Sequence, residues 1–262
     1  MTCKRFTKYL ATGLSMLLVS MTAAALDTKQ DDSEKARIET IVRDYIKANP
    51  EVIIESITDW QRQQQLAAML PAIENYRQYL ERDQRGPVLG NPDGDVTIVE
   101  FFDYRCGYCR RHYKEVKQLV KDDGNIRLIL KQFPILDQDG QKPHSRLAAA
   151  ASLAAHKQGK FEEMHHAMIT TPKPVTEDKL LTLAARVGLD TLQLRTDMNN
   201  SQIQSTIDTS LYVGKDIGFS GTPSYVIGTE IFQGAVGYAN MKRAVEKTRQ
   251  KNKKTAQNQK SG

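Results

Sequence analysis

Two cysteines, in the run Cys106-Gly107-Tyr108-Cys109, stand where an apolar stretch, Val96 to Phe102, gives way to residues with helical spacing. That placement restricts the fold more than any other feature of the chain. Val96–Phe102 reads as a buried strand, and a helix is expected from about Gly107 to Lys121. Asp122-Asp123-Gly124-Asn125 follows as a turn, then Ile126–Phe133 as a second strand ending before Pro134. A strand, a helix and a strand in this order make a parallel pair with a right-handed crossover. A cysteine opening the helix lies among unpaired backbone N–H groups at the positive end of the helix dipole. Cys106 is therefore expected to ionise below about 8.5 and to act as a nucleophile. Cys109, one turn deeper, is placed to resolve a mixed disulfide.

Half of a zinc site is the competing reading of a Cys-x-x-Cys pair. A closed zinc site takes four ligands, and His112, His144, His156, His165 and His166 follow no zinc spacing with the cysteines. The histidines read as surface or capping residues, and no metal or cofactor is expected. Glu100 interrupts the apolar strand before Cys106, where a carboxylate is costly to bury. Two readings stay open for it. Buried, it has a raised pKa and exchanges the Cys109 proton; turned outward, it pairs with Lys131.

The N-terminus sets the compartment. Lys4, Arg5 and Lys8 precede an apolar core from Leu10 to Val19 and a small-residue exit at Ala23-Ala24-Ala25, the pattern of a cleaved secretory leader. The core holds Thr12, Gly13 and Ser15 and is shorter than the roughly 20 residues of a membrane span. Cys3 leaves with the leader, so the exported chain keeps only Cys106 and Cys109, in a compartment where disulfides persist. The formal charge of +6 falls by three with the loss of Lys4, Arg5 and Lys8, too small a basic excess for a nucleic-acid partner.

Residues 27 to 85 look helical throughout. Ile38, Ile41, Val42 and Tyr45 make one apolar stripe, Asn49-Pro50 breaks it, and Val52, Ile53, Ile57 and Trp60 resume it, with Pro71 expected to kink or restart the helix. Such thin helices have little core of their own. They bury the stripe against another copy, the favoured reading, or against their own catalytic domain. Gly86 to Asp95 reads as a linker. Ser145 to about Gly218 is again helical, and strands at Ser224–Ile227 and Ile231–Ala235 precede a last helix from about Tyr238 to Arg249. Gly221-Thr222-Pro223 is by itself a weak signal.

Taken together, Phe101-Phe102-Asp103-Tyr104 before Cys106-Gly107-Tyr108-Cys109, and Gly221-Thr222-Pro223-Ser224-Tyr225 downstream, resemble the DsbA-like branch of the thioredoxin superfamily. The arm with Val42-Arg43-Asp44-Tyr45 and Asn49-Pro50-Glu51-Val52 is similar to ScsC-type and Com1-like periplasmic proteins. The resemblance implies an α/β thioredoxin fold with an inserted helical domain and an N-terminal helical oligomerisation arm. It makes Pro223 a cis-proline facing a redox-active Cys106–Cys109 disulfide, puts Thr222, Gly107 and Tyr108 against the substrate, and makes Glu100 the buried acid. Gly107-Tyr108 and the threonine before the proline are similar to the isomerases DsbC and DsbG. The implied protein is a periplasmic oxidoreductase that reduces or isomerises disulfides in exported clients, kept reduced by a DsbD-like membrane partner and associating as a dimer or trimer. A dithiol oxidase recharged by a DsbB-like partner, and a non-catalytic chaperone or copper-binding thiol protein, are the alternatives. The expected organisation is a signal peptide (1–25), a helical arm (27–85), a catalytic domain (86–251) with its insertion at about 138–218, and a polar disordered tail (252–262).

Overall fold

A computed structural model of the chain describes residues 32–137, 142–171 and 176–260; the expected leader and the start of the insertion near 138 lie outside them. The chain divides into two compact units between Gln65 and Leu66. In the first, helix α1 spans 32–48 and helix α2 (Glu51–Asn75) begins after Asn49-Pro50. Pro50 sits where a missing N–H costs nothing, and the Asn49 carbonyl accepts from Val52 at 3.2 Å. Ile38, Ile41, Val42, Tyr45, Ile53, Ile57 and Trp60 are all exposed, Trp60 to 61%.

The second unit is built on a five-stranded sheet of β1 (Val88–Gly90), β2 (Val96–Phe102), β3 (Ile126–Gln132), β4 (Ser224–Ile227) and β5 (Glu230–Gln233), in the order β1-β3-β2-β4-β5. Only β2 and β3 run parallel, joined across α4 (Gly107–Asp123) as the sequence spacing requires. Gly124 ends α4 in the left-handed region, at φ 69°, and its N–H bonds the Val120 carbonyl.

Strand alternation sorts the core into two layers. Ile98 and Phe102 of β2 and Leu128 and Leu130 of β3 face a cluster with α4 and the inserted helices. Val99, Phe101 and Ile129 face the opposite side, where Phe133 and Phe219 flank Phe101. The insertion comprises α5 (His144–Lys157), α6 (Phe161–Thr170), α7 (Glu177–Arg186), α8 (Thr191–Met198) and α9 (Ser201–Ile217). The buried alanines of α5, from Ala148 to Ala151 with Ala154 and Ala155, let α6, α8 and α9 approach it closely.

Of the two outcomes expected at Pro71 the restart does not occur, because helix α2 runs through it and the interruption comes at Tyr76, before α3 (Arg77–Arg82). Three expectations need correction. The arm does not extend to 85, because Met69, Ile73 and Leu80 are buried with Val99, Phe101 and Ile129, so residues 66–85 belong to the second unit. The expected linker at 86–95 contains β1, whose three residues pair antiparallel with β3 and are too short to show a periodicity. The last helix, α10 (Tyr238–Lys260), runs past Arg249 through the segment expected to be a disordered tail. That segment contains no proline or glycine before Lys260 and is rich in lysine and glutamine, which favour helix.

A chain begun at Leu66 is therefore expected to fold, whereas one begun at Gly86 loses Met69, Ile73 and Leu80 and at least ~3 kcal/mol of stability. Urea unfolding of the two truncations checks this, and equal midpoints would restore the boundary at 85.

Candidate active site

The site forms where β2 ends and α4 begins. Phe102 finishes the strand, and buried Asp103 organises the turn: its carboxylate accepts from the N–H groups of Arg105 (2.8 Å) and Leu136 (3.1 Å), and its carbonyl accepts from Cys106 N–H (3.0 Å). Burial pushes the Asp103 carboxyl up to about 6, against the pull of those N–H donors. Cys106 caps α4 in an extended conformation, and both cysteines are free and buried.

The two thiols have opposite acidities. Cys106 is lowered to about 5, first by a hydrogen bond from Cys109, with Thr222 and the backbone N–H groups of Cys109 and Tyr108 adding to it against desolvation. Burial pushes Cys109 well up, and the neighbouring Cys106 and Glu100 charges reinforce that. The proton of the pair therefore resides on Cys109 while Cys106 carries the charge, the division that a nucleophile and a resolving thiol require.

Thr222-Pro223 lies directly over this sulfur. The peptide bond between them is cis. Cys106 Sγ is 3.1 Å from the Thr222 carbonyl, to which the thiol form donates. The Thr222 hydroxyl is buried with no partner among the described residues, which leaves it to serve the thiolate form. Gly107 and Tyr108 occupy the first turn; the Tyr108 ring is exposed, and the Arg111 guanidinium lies over it at 4.5 Å.

Glu100 is buried, which decides between its two readings. In the parallel register it sits beside Leu130, so Lys131 points to the opposite face of the sheet. There Lys131 is held by Asp83 at 3.1 Å and by the Tyr79 carbonyl at 2.8 Å. Glu100 instead faces the α4 side and accepts from the Tyr225 hydroxyl at 3.1 Å, a cross-strand neighbour on β4. Burial raises its carboxyl to about 7, Tyr225 pulls it down and the Cys106 charge raises it further. A carboxylic acid that titrates near neutrality beside Cys109 is suited to exchanging that thiol's proton.

The structure thus brings Cys106, Cys109, Glu100, Gly107, Tyr108, Thr222 and Pro223 to one place. It corrects the reading of the histidines: His112 and His165 are buried. His165 Nδ1 bonds the Tyr104 hydroxyl at 2.8 Å, and burial lowers its pKa to about 3. His112 Nδ1 bonds the Tyr225 hydroxyl at 2.7 Å. Sequence reasoning missed both, together with Asp103 and Tyr225 as site residues; the spacing of His112 from Cys109, one turn on along the same helix, was the available signal. Among the described residues no three His, Cys, Asp or Glu side chains cluster as a metal-binding group.

Comparison with known proteins matches two separate parts of the chain. The thioredoxin family model matches residues 82–247, and that of the copper resistance protein ScsC N-terminal domain matches residues 34–67. A thioredoxin-like oxidoreductase from Silicibacter pomeroyi DSS-3 is 42% identical, covering 66% of this chain and 98% of its own, with a TM-score of 0.63. Proteus mirabilis ScsC, in a transitional conformation, shares the fold at 23% identity, 84% and 98% coverage of this chain and its own, and a TM-score of 0.63. The Na(+)/H(+) antiporter NhaA 3 of Salinispora tropica is 29% identical over 143 residues, 55% of this chain. That alignment takes in 22% of the antiporter, so the chain spans under a quarter of that relative's length.

Because Glu100 binds its proton more readily folded than unfolded, stability falls as pH rises from its ordinary 4.5 through about 7. Glu100→Gln is expected to be more stable than the reduced parent protein at pH 8, by up to ~3 kcal/mol, and to lose that advantage near pH 4. Urea unfolding at both pH values checks this; an advantage independent of pH contradicts a raised Glu100.

Proposed function

The chain belongs to the thioredoxin family, and we propose that it is a periplasmic thiol-disulfide oxidoreductase that reduces or isomerises disulfides in exported proteins. The observation that carries thiol-disulfide exchange, whichever its direction, is the placement of Cys106 Sγ at the α4 cap, 3.1 Å from the Thr222 carbonyl of the cis Thr222-Pro223 bond, with Cys106 lowered to about 5 and Cys109 held protonated beneath it. In an isomerisation the Cys106 thiolate attacks a client disulfide, forming a mixed disulfide and freeing a client thiolate. That thiolate then attacks elsewhere in the client, and a second client thiolate displaces Cys106. In a reduction, Cys109 passes its proton to Glu100 and attacks Cys106 Sγ, so the client leaves reduced and the enzyme holds the disulfide. A DsbD-like membrane reductant then returns both cysteines to thiols.

The client lies against the backbone at Thr222, strand-like, beside the exposed Tyr108 ring. Threonine before the cis-proline and Gly107-Tyr108 between the cysteines favour isomerisation, through their similarity to DsbC and DsbG. The arm supports it too. Residues 34–67 match the ScsC N-terminal domain, and the exposed stripe from Ile38 to Trp60 falls inside that match. Each large apolar side chain taken from water contributes roughly 1.5–3 kcal/mol. A stripe of this length is of the size that offsets an association cost of roughly 4–15 kcal/mol, so two or three copies join through it and surround one client.

One observation favours a second reading, a dithiol oxidase served by a DsbB-like partner. Stabilising the Cys106 thiolate stabilises the reduced pair, which makes the disulfide a stronger oxidant.

Reactivation of a scrambled-disulfide substrate in a glutathione buffer separates the two. The chain from Leu26 is expected to reactivate it, and deletion of 27–65 to lower the rate severalfold; rapid oxidation of a dithiol peptide with no reactivation selects the oxidase. Cys106→Ala is expected to abolish exchange, whereas Cys109→Ala accumulates mixed disulfides with clients, visible on non-reducing gels. Undiminished turnover in Cys106→Ala would sink the assignment.

A further inference from the structure

Behind Glu100 runs a buried chain of hydrogen bonds whose direction is fixed at its far end. The Gly237 N–H, at the start of α10, lies 3.1 Å from His112 Nε2. A backbone amide only donates, so Nε2 carries the lone pair and the ring proton of neutral His112 is on Nδ1. Nδ1–H therefore donates to the Tyr225 oxygen at 2.7 Å, which leaves the Tyr225 proton to point at Glu100 Oε1, 3.1 Å away. Every donor in the chain Gly237, His112, Tyr225 is aimed toward the carboxylate. With the tyrosine free to rotate, its hydroxyl could equally turn its lone pairs to Glu100, a contact that favours the neutral acid.

We propose that His112 is a positioning residue for thiol exchange: it fixes the Tyr225 hydroxyl as a donor to Glu100 and so keeps that carboxylate ionised to receive the Cys109 proton. The proton balance is simple. Cys109 Sγ–H gives its proton to the Glu100 carboxylate, the Cys109 thiolate attacks Cys106 Sγ of the mixed disulfide, and the electron pair of the broken bond leaves on the client sulfur. His112 neither gains nor loses a proton. Burial holds its ring below the ordinary histidine range, against the pull of Glu115, whose carboxylate lies 3.7 Å from Nε2 on the same helix. Glu115 is itself engaged by the Tyr238 N–H at 2.7 Å. From β4 only the Tyr225 phenol faces His112, and burial drives that group well above 10. Glu100 in turn meets Cys106 at the α4 cap, Cys109 of α4, Tyr104 after β2 and Tyr225 of β4, and it lines a cavity with Glu162 and His165 of α6 and with Tyr113, Lys117 and Lys121 of α4.

This inference rests on the reading of Glu100 as the proton acceptor, and the test separates the two. Mixing the reduced protein with a chromogenic aromatic disulfide releases one thiol as Cys106 attacks and a second as Cys109 resolves the adduct. The second release, followed from about pH 5 to 9, is expected to rise with a midpoint at or somewhat below 7 in the parent protein, because the adduct lacks the Cys106 charge that adds to the effect of burial on Glu100. Glu100→Gln is expected to lose that limb; a limb that persists overturns Glu100 as acceptor and His112 with it. Given its loss, Tyr225→Phe and His112→Leu are each expected to move the midpoint up by roughly one pH unit, slowing resolution about tenfold near pH 6. His112→Gln, whose amide both accepts from Gly237 and donates to Tyr225, restores the parent midpoint. Unmoved midpoints in Tyr225→Phe and His112→Leu, or a His112→Gln displaced as far as His112→Leu, overturn the positioning role.

Discussion

Backbone N–H groups at the start of α4, together with the Cys109 thiol, converge on one sulfur, and the arrangement of the site follows from that convergence. A thiolate at Cys106 needs a helix N-terminus that nothing else occupies, and β2 delivers the chain to that point with its last residues packed in the core. Asp103 spends its carboxylate on the turn between them, which keeps Cys106 rather than a neighbouring residue at the cap. The same geometry drives Cys109 into the interior, where its charge is disfavoured and its proton is shared toward Cys106. Nucleophile and resolving thiol are thus two consequences of one helix start.

The sheet supplies the remaining chemistry through its alternation. A period of two puts Ile98, Glu100 and Phe102 on the α4 face and Val99 and Phe101 on the other. The parallel register with β3 carries Lys131 away from Glu100, and the antiparallel register with β4 brings Tyr225 beside it. A buried carboxylate with a tyrosine donor and no ion pair among the described residues titrates near neutrality; one paired with Lys131 would stay ionised across that range. Lys131 and Asp83 make their own buried pair against α3, in which desolvation lowers the lysine to about 8. Two ionisable groups in neighbouring strands therefore serve different ends, one chemical and one structural.

Much of this was legible in the sequence because it is local. Val96–Phe102, the start of α4 at Gly107, Ile126–Gln132 and Ser224–Ile227 follow from apolar runs bounded by turn residues, and the cysteine pair declares itself by its position between two of them. The cis bond before Pro223 was legible only through resemblance, since the tripeptide around it carries little signal. What could not be read depends on pairing across the chain. Strand β1 is too short to show a period, and Met69, Ile73 and Leu80 look like the rest of an apolar stripe until β2 and β3 are seen to cover them. His112 and His165 have no side-chain pattern that marks them as buried; tyrosines 113 and 61 residues away in the sequence satisfy them.

The account stands on the thiolate at Cys106, and an ultraviolet titration of the reduced chain from Leu26 onward tests it most directly. Thiolate absorbance is expected to rise by one equivalent with a midpoint near 5, with the second equivalent absent through neutral pH. Two thiols that titrate together near 9 would show that the helix start does not hold the charge, and the division between Cys106 and Cys109 would have to be abandoned.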